Sequence, residues 1–239
     1  MIVSAYYKIP SKKPHSFYVA HLQRWIRSVI NTPVLFFTTE DVKAEIESWG
    51  YPLSHITFEI LNFSQLSGWS LGADFWNRQK LRDPESYHTP ELAVVWYEKK
   101  EFVRRAIEKF PNENIFIWCD AGCIRNDLSE ITARNGFGTR RLLDDDKIHL
   151  QYIRTIPVEK FYKYPTICIA GAIIAGNKTA WLSHCILYDS VIREYDRNNV
   201  CVNMDQYIIK SCVDLNPLLY TLEKPNNTLD KWFFFLGYL

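Results

Sequence analysis

Charge of one sign is the first thing this 239-residue chain lacks: 28 Lys and Arg face 27 Asp and Glu, for a formal net charge of +1. Without a net field, nothing recruits nucleic acid or an anionic membrane over long range. No apolar run has the length of a membrane span; the longest, around Ile167 to Ala175, is far too short. The six cysteines show no zinc-ligand pairing beyond a lone C-x3-C at Cys119 and Cys123. Most sit inside apolar runs, as reduced cysteines of a cytosolic protein do. No signal peptide is read at the N-terminus, because Met1-Ile2-Val3 leads straight into a strand. A cytoplasmic protein is therefore expected, and the acceptor patterns at Asn62, Asn177 and Asn226 carry no weight as glycosylation sites. Internal repeats, low-complexity linkers and a Gly-rich loop after the first strand are also missing, and the last of these disfavours a nucleotidyltransferase.

What is present is a globular composition, 47% hydrophobic and 23% charged. The length suits one large core, so residues 1–239 are read as a single domain. Aromatic residues make up 15%, enough to fill a core and still leave flat rings for a binding surface. The opening alternates β-α-β-α-β: strands at Ile2 to Tyr7, Val34 to Thr38 and His55 to Leu61, with helices at Ser16 to Ile30 and Asp41 to Trp49. Thr39 is placed as the cap of the second helix and Gly50 as its stop. Such alternation predicts an α/β fold with a mostly parallel sheet covered by helices. Residues 64–90 read as an irregular insertion, with a loop at Gly68 to Gly72 and a helix from Phe75 to Arg82. Its Trp69, Asp74, Trp76 and Arg78 suit a sugar- or acceptor-facing insertion. Further helices are expected at Glu91 to Phe110, Lys178 to Asp196 and from Asn203. Strands are expected at Ile115 to Trp118, Ile148 to Ile153, Thr166 to Asn177 and Leu218 to Leu222, with a docked aromatic tail from Trp232.

Several residues break these patterns. Asp120 ends a doubly buried strand and is followed by Ala121 and Gly122, placing a carboxylate where open α/β sheets leave a crevice. Asp and Gly also make ordinary turns. Lys99 interrupts an apolar helix stripe formed by Leu92, Trp96, Val103, Ala106 and Phe110. It either snorkels to water or aims its charge at the end of the next strand, where Asp120 lies. Gly171 and Ala172 interrupt a bulky strand, which signals close approach by a ligand or tight packing on a helix. Asp205 and Gln206 open a helix, and a first-turn Asp has a dipole role as well. Lys8 leads a basic loop after strand one that suits a phosphate or base contact, or is simply solvated. Asp144-Asp145-Asp146 has the composition of a metal site, although such runs are more often solvated turns.

Taken in order, the carboxylate turn (Trp118 to Gly122), the glycine-interrupted strand with its Trp helix (Ala170 to Trp181) and Asp205-Gln206 resemble nucleotide-sugar glycosyltransferases of the GT-A fold. The glycogenin-like and bacterial lipopolysaccharide galactosyltransferase group is the nearest in pattern. More closely, Val3-Ser4-Ala5-Tyr6-Tyr7, Trp96-x-x-Lys99, Phe116-Ile117-Trp118-Cys119-Asp120-Ala121-Gly122 and Asp230-Lys231-Trp232-Phe233 look like the HtrL/YibB family of glycosyltransferase-like proteins, over nearly the whole chain. The resemblance implies a GT-A-like, Rossmann-like sheet, with residues 1–122 as the nucleotide-binding half and 123–239 as the acceptor and sugar half. It implies that Val3, Ser4, Ala5 and Tyr6 bind the base and ribose, and that Asp120 grips a metal or the ribose as first carboxylate of an Asp-x-Asp motif. Gly171 and Ala172 would leave room for sugar and acceptor. Asp205 or Gln206 would sit beside the anomeric carbon, with Asp205 as candidate base and Lys99 as a cation for the departing diphosphate. The expected partners are a UDP- or GDP-sugar donor and a glycan or glycolipid acceptor, with manganese or magnesium as the divalent cation. Two departures bear on the metal: Gly122 replaces the second carboxylate, and no histidine follows His184. A nucleotide-sugar or carbohydrate-binding protein without turnover, on the same fold, is the alternative.

Overall fold

A computed structural model describes residues 1–127, 145–154 and 167–224. The elements run β1 (Ile2–Ala5), α1 (His15–Ser28), β2 (Val34–Thr38), α2 (Glu40–Ser48), β3 (Ile56–Ile60), α3 (Ala73–Arg82), α4 (Pro90–Lys109) and β4 (Ile115–Cys119). They continue with β5 (Ile148–Tyr152), β6 (Ile169–Asn177), α5 (Lys178–Arg197), α6 (Asp205–Leu215) and β7 (Tyr220–Glu223). Asp144, the Asp230 to Phe233 motif and the aromatic tail lie outside the described residues.

The seven strands form one sheet in the order β3-β2-β1-β4-β6-β5-β7. Strands β1 to β4 pair in parallel, β6 runs antiparallel to both β4 and β5, and β7 returns parallel to β5. The α/β class with a mostly parallel, helix-flanked sheet is as the sequence pattern predicts. The central strands read as unbroken apolar runs because both faces are covered, and alternate side chains go to opposite cores. Val3, Leu35, Phe37, Phe116 and Trp118 join the core under α4, whereas Ile2, Phe36, Ile117 and Cys119 join the core under α1 and α2. Phe102 of α4 stacks on Trp118 with ring centroids 5.8 Å apart.

Two of the six described α-helices start with a side-chain cap. Thr89 caps α4 by accepting the Leu92 amide at 3.2 Å, and Asn177 caps α5 by accepting that of Ala180 at 2.8 Å. Thr39 stands at the start of α2 but makes no side-chain cap bond, donating instead to Asp41. Gly50 follows the end of α2 with φ of +71°, the left-handed conformation for which glycine is suited.

Within the insertion, Trp76 is the residue that differs from its expected role. Residues Ser67–Leu71 form a 3₁₀ turn, and Trp76 is buried, donating to the Gly68 carbonyl at 2.8 Å. Trp69 donates to the Phe63 carbonyl and Arg78 to Asp196. These aromatics pack the segment onto α4 because a ring buried there removes more apolar surface than one left facing solvent. Among the described residues no helix is long and apolar enough to cross a membrane.

Candidate functional site

A cavity of about 920 Å³ opens at the carboxyl ends of β1 and β4. Its position follows from topology: β1 and β4 are parallel neighbours, so both strands end on the same side of the sheet, where open α/β sheets leave a crevice. One rim comes from Tyr6, Lys8 and Lys12 after β1, with His15 and Tyr18 of α1; the opposite wall is Tyr87, Leu92, Val95 and Trp96. The floor is Lys99, Asp120, Gly171 and Asp205.

The structure brings most of the predicted residues together. Ala5, Tyr6, Lys8, Lys99, Asp120, Ala121, Gly122, Gly171, Ala172, Asp205 and Gln206 all line the cavity. Val3 and Ser4 do not: both are fully buried within β1, and the Ser4 hydroxyl donates to the Cys119 carbonyl at 2.6 Å. Their place in the motif is a packing one, since a residue at the middle of a central strand faces a core. Strand β1 ends at Ala5, before the expected Tyr7, and this early end turns Tyr6 into the cavity.

The floor is an ion cluster. The Lys99 ammonium lies 2.8 Å from Asp205 Oδ2, 3.1 Å from Asp120 Oδ1 and 2.9 Å from the Gly171 carbonyl oxygen. Its three N–H bonds are therefore all engaged within the protein, which leaves none for a phosphate. Lys99 does not snorkel; burial opposes its charge, but the two carboxylates outweigh burial and hold its pKa above the usual lysine value. Burial raises the Asp120 carboxyl above its usual range and the neighbouring Asp205 adds to this, against the pull of Lys99 and of Trp118 Nε1, which donates at 2.7 Å. The Asp120 side chain is 36% exposed to the cavity, compared with 7% for Asp205.

The backbone explains how these groups meet. The β5–β6 register slips between the pairs Leu150–Ile174 and Gln151–Ala170, lifting the Gly171–Ile173 segment out of regular pairing with β5. The Ala172 carbonyl accepts the Asp120 amide at 2.7 Å, and the Gly171 carbonyl turns to Lys99. What approaches Gly171 closely is Asp205: a Cβ there would stand 2.6 Å from Asp205 Oδ2. The room expected for a sugar at that position is filled by the chain's own carboxylate, while a Cβ on Gly122 would meet nothing within 4 Å. Asp205 does not cap α6, which has no side-chain cap bond.

At the rim, Tyr6 Oη lies 2.8 Å from His15 Nδ1, and His15 Nε2 lies 3.4 Å from Glu45. Burial, helped by the charge of Glu45, pushes the Tyr6 phenol up to about 12, so it is neutral and able to hydrogen-bond a ligand. Lys8 pairs with Glu45 at 2.9 Å and Asp41 at 3.0 Å. Sequence reasoning did not single out His15, Tyr18 or Tyr87. The only local signals are aromatic residues just after the basic loop and just before the Thr89 cap.

The donor set does not fit a protein-held divalent ion. Such an ion takes six or more oxygen ligands, but the two carboxylates here already turn oxygens to Lys99. Among the described residues no group of three or more His, Cys, Asp and Glu side chains could hold a metal. Asp145 pairs with His149 at 2.7 Å and Asp146 accepts from Asn177 at 2.7 Å, so these two aspartates serve the β5 and α5 junctions.

Fold and site together define an α/β protein with a charged, aromatic-walled cleft at the carboxyl ends of its parallel strands. Residues 72–236 match the family described as "Bacterial protein of unknown function (HtrL_YibB)", and the chain belongs to that family. Comparison with curated proteins gives no match. Among solved structures, the chain is similar to a glycosyltransferase involved in the glycosylation of the major capsid of PBCV-1. The identity is 16% and the TM-score 0.45, over 94% of this chain and 81% of that one.

Proposed function

We propose that the protein is a glycosyltransferase that moves a sugar from a nucleotide diphosphate donor to a glycan or lipid-linked acceptor. The observation that carries this reading is the Lys99–Asp120–Asp205 cluster at the floor of an aromatic-lined cavity where β1 and β4 end. A base and ribose suit the Ala5–Tyr6 rim, where rings and a neutral phenol offer stacking and hydrogen bonding. Cleavage of a glycosyl–phosphate bond passes through an oxocarbenium-like state. Charge builds on the departing diphosphate, and groups already aimed there stabilise it most. Lys12 and Arg125 line the cavity and supply that positive charge, whereas Lys8, also on the rim, is held by Asp41 and Glu45. Asp205, 2.8 Å from the Lys99 ammonium, is the group to accept a proton from the acceptor hydroxyl.

A second reading, a nucleotide-sugar-binding protein without turnover, draws on Asp205 being almost fully buried and bonded to Lys99. One experiment separates the two. Thermal shift with UDP-, GDP- and CMP-sugars identifies the donor, since a ligand that binds the folded state alone raises apparent stability. Transfer or slow hydrolysis of that donor is then followed in Asp205→Asn. We expect turnover to fall about a hundredfold or more with donor affinity little changed, as for a contact made mainly in the transition state. If no nucleotide sugar shifts the melting temperature, the glycosyltransferase reading fails; binding without turnover in the wild type establishes the second reading.

A further inference from the structure

We propose that the Lys99 ammonium permanently occupies the place that a divalent metal ion would take between Asp120 and Asp205, so that the protein binds its anionic ligand without a metal at this carboxylate pair.

The ammonium sits in an oxygen shell drawn from three elements: Asp205 at the start of α6, Asp120 after β4, and the Gly171 carbonyl of β6. That is how a protein surrounds a bound cation, except that here the cation arrives on the chain itself, from α4. Three arrangements hold it there. Gly171 has no side chain, which lets the Asp205 carboxylate lie against the strand. Trp118 Nε1 fixes Asp120 Oδ1 from the other side at 2.7 Å. The Lys99 side chain is only 8% exposed, so water does not compete for the ammonium. A second cation placed between the same carboxylates would stand within a few ångströms of the ammonium, where like charges repel strongly in a poorly solvated site. In the wild type it would also lack free ligands, because Lys99 already takes an oxygen of each carboxylate and the Gly171 carbonyl, and Gly122 offers no side-chain oxygen. The cluster carries one net negative charge, from two carboxylates against one ammonium. The positive charge an anionic ligand needs is provided at the rim, where Lys12 and Arg125 line the same cavity.

The test reads metal binding directly, before any activity. Manganese is titrated into the full chain and followed by electron paramagnetic resonance. Wild type is expected to bind no stoichiometric manganese at this pair. Lys99→Met keeps most of the stem and removes the charge, leaving two facing carboxylates, and should gain one-to-one manganese binding at least about tenfold tighter than wild type. Adding Asp205→Asn to that variant should abolish the gain. Stoichiometric manganese binding by the wild type that Asp120→Asn removes would overturn the proposal. So would a folded Lys99→Met protein that gains no binding. Should Lys99→Met not fold, the wild-type titration still decides. A second arm rests on the nucleotide-sugar reading: calorimetry of UDP and GDP binding in EDTA and in manganese should agree within about twofold, and an affinity at least about tenfold weaker in EDTA overturns the proposal. If neither nucleotide binds, that reading loses its support while the manganese titration still stands.

Discussion

A Cβ built on Gly171 would lie 2.6 Å from Asp205 Oδ2 and 3.0 Å from its Cγ. The clash is with the end of a side chain, but one pinned by Lys99 at 2.8 Å, so it cannot swing away without breaking the ion pair. Gly171→Ala should therefore cost about 1–3 kcal/mol in stability, as overpacking does, and disturb the site more than the fold. We expect donor turnover to fall by more than the loss of folded protein explains, measured as rate per folded molecule. Full activity in a stable Gly171→Ala variant would show that the Asp205 position is unimportant. At the same scale, Trp76 fills the core under α4 and is 1% exposed. Trp76→Ala should lower stability by about 3–5 kcal/mol. An effect confined to acceptor KM would restore the insertion as a binding surface.

Two long helices carry the site and its support, and their caps differ in a way that can be measured. Thr89 accepts the Leu92 amide at the start of α4 and makes one long bond, 3.5 Å, to the Pro10 carbonyl. Asn177 caps α5 and, with its amide nitrogen, holds Asp146 at 2.7 Å while 5% exposed. Thr89→Ala should cost about 1 kcal/mol. Asn177→Ala should cost more, about 2 kcal/mol, because it leaves the buried Ala180 amide without its cap and also removes the bond to Asp146. Urea unfolding of the two variants checks the order. The reverse order would mean that the Asp146 contact contributes nothing.

For the whole molecule, His184 is one source of pH-dependent stability. It is fully buried among Trp181, Tyr188 and Tyr220, with Nδ1 2.9 Å from the Tyr220 hydroxyl. Burial, with the nearby charge of Lys100 adding, draws its pKa from 6.5 down to about 3. The unfolded chain thus takes up a proton over that window that the folded chain refuses. Its contribution is complete above the unfolded value and is lost as pH falls, at up to about 1.4 kcal/mol per pH unit. His184→Gln should be less stable at neutral pH yet show a shallower loss from neutral pH to about pH 5, read by urea unfolding. An unchanged slope would exclude His184 as a source.

Local chemistry in the chain was enough to determine the sheet class, because a strand covered on both sides must be an unbroken apolar run and a capped amphipathic helix announces its own ends. It was also enough to mark Lys99, Asp120, Gly171 and Asp205, each of which breaks the pattern around it. What they form together was decided only by tertiary structure. Positions 99, 120, 171 and 205 meet because α4, β4, β6 and α6 converge where β4 ends in the middle of the sheet, and no spacing along the chain encodes a 2.8 Å contact between residues 106 positions apart. The same holds for Val3 and Ser4, which a motif groups with Tyr6 but which the strand buries, and for His15, Tyr18 and Tyr87, ordinary residues until packing turned them towards one cavity. Burial supplied the remaining difference: in water Lys99 would be an unremarkable solvated lysine, whereas out of water it must find carboxylates, and the fold brings it two.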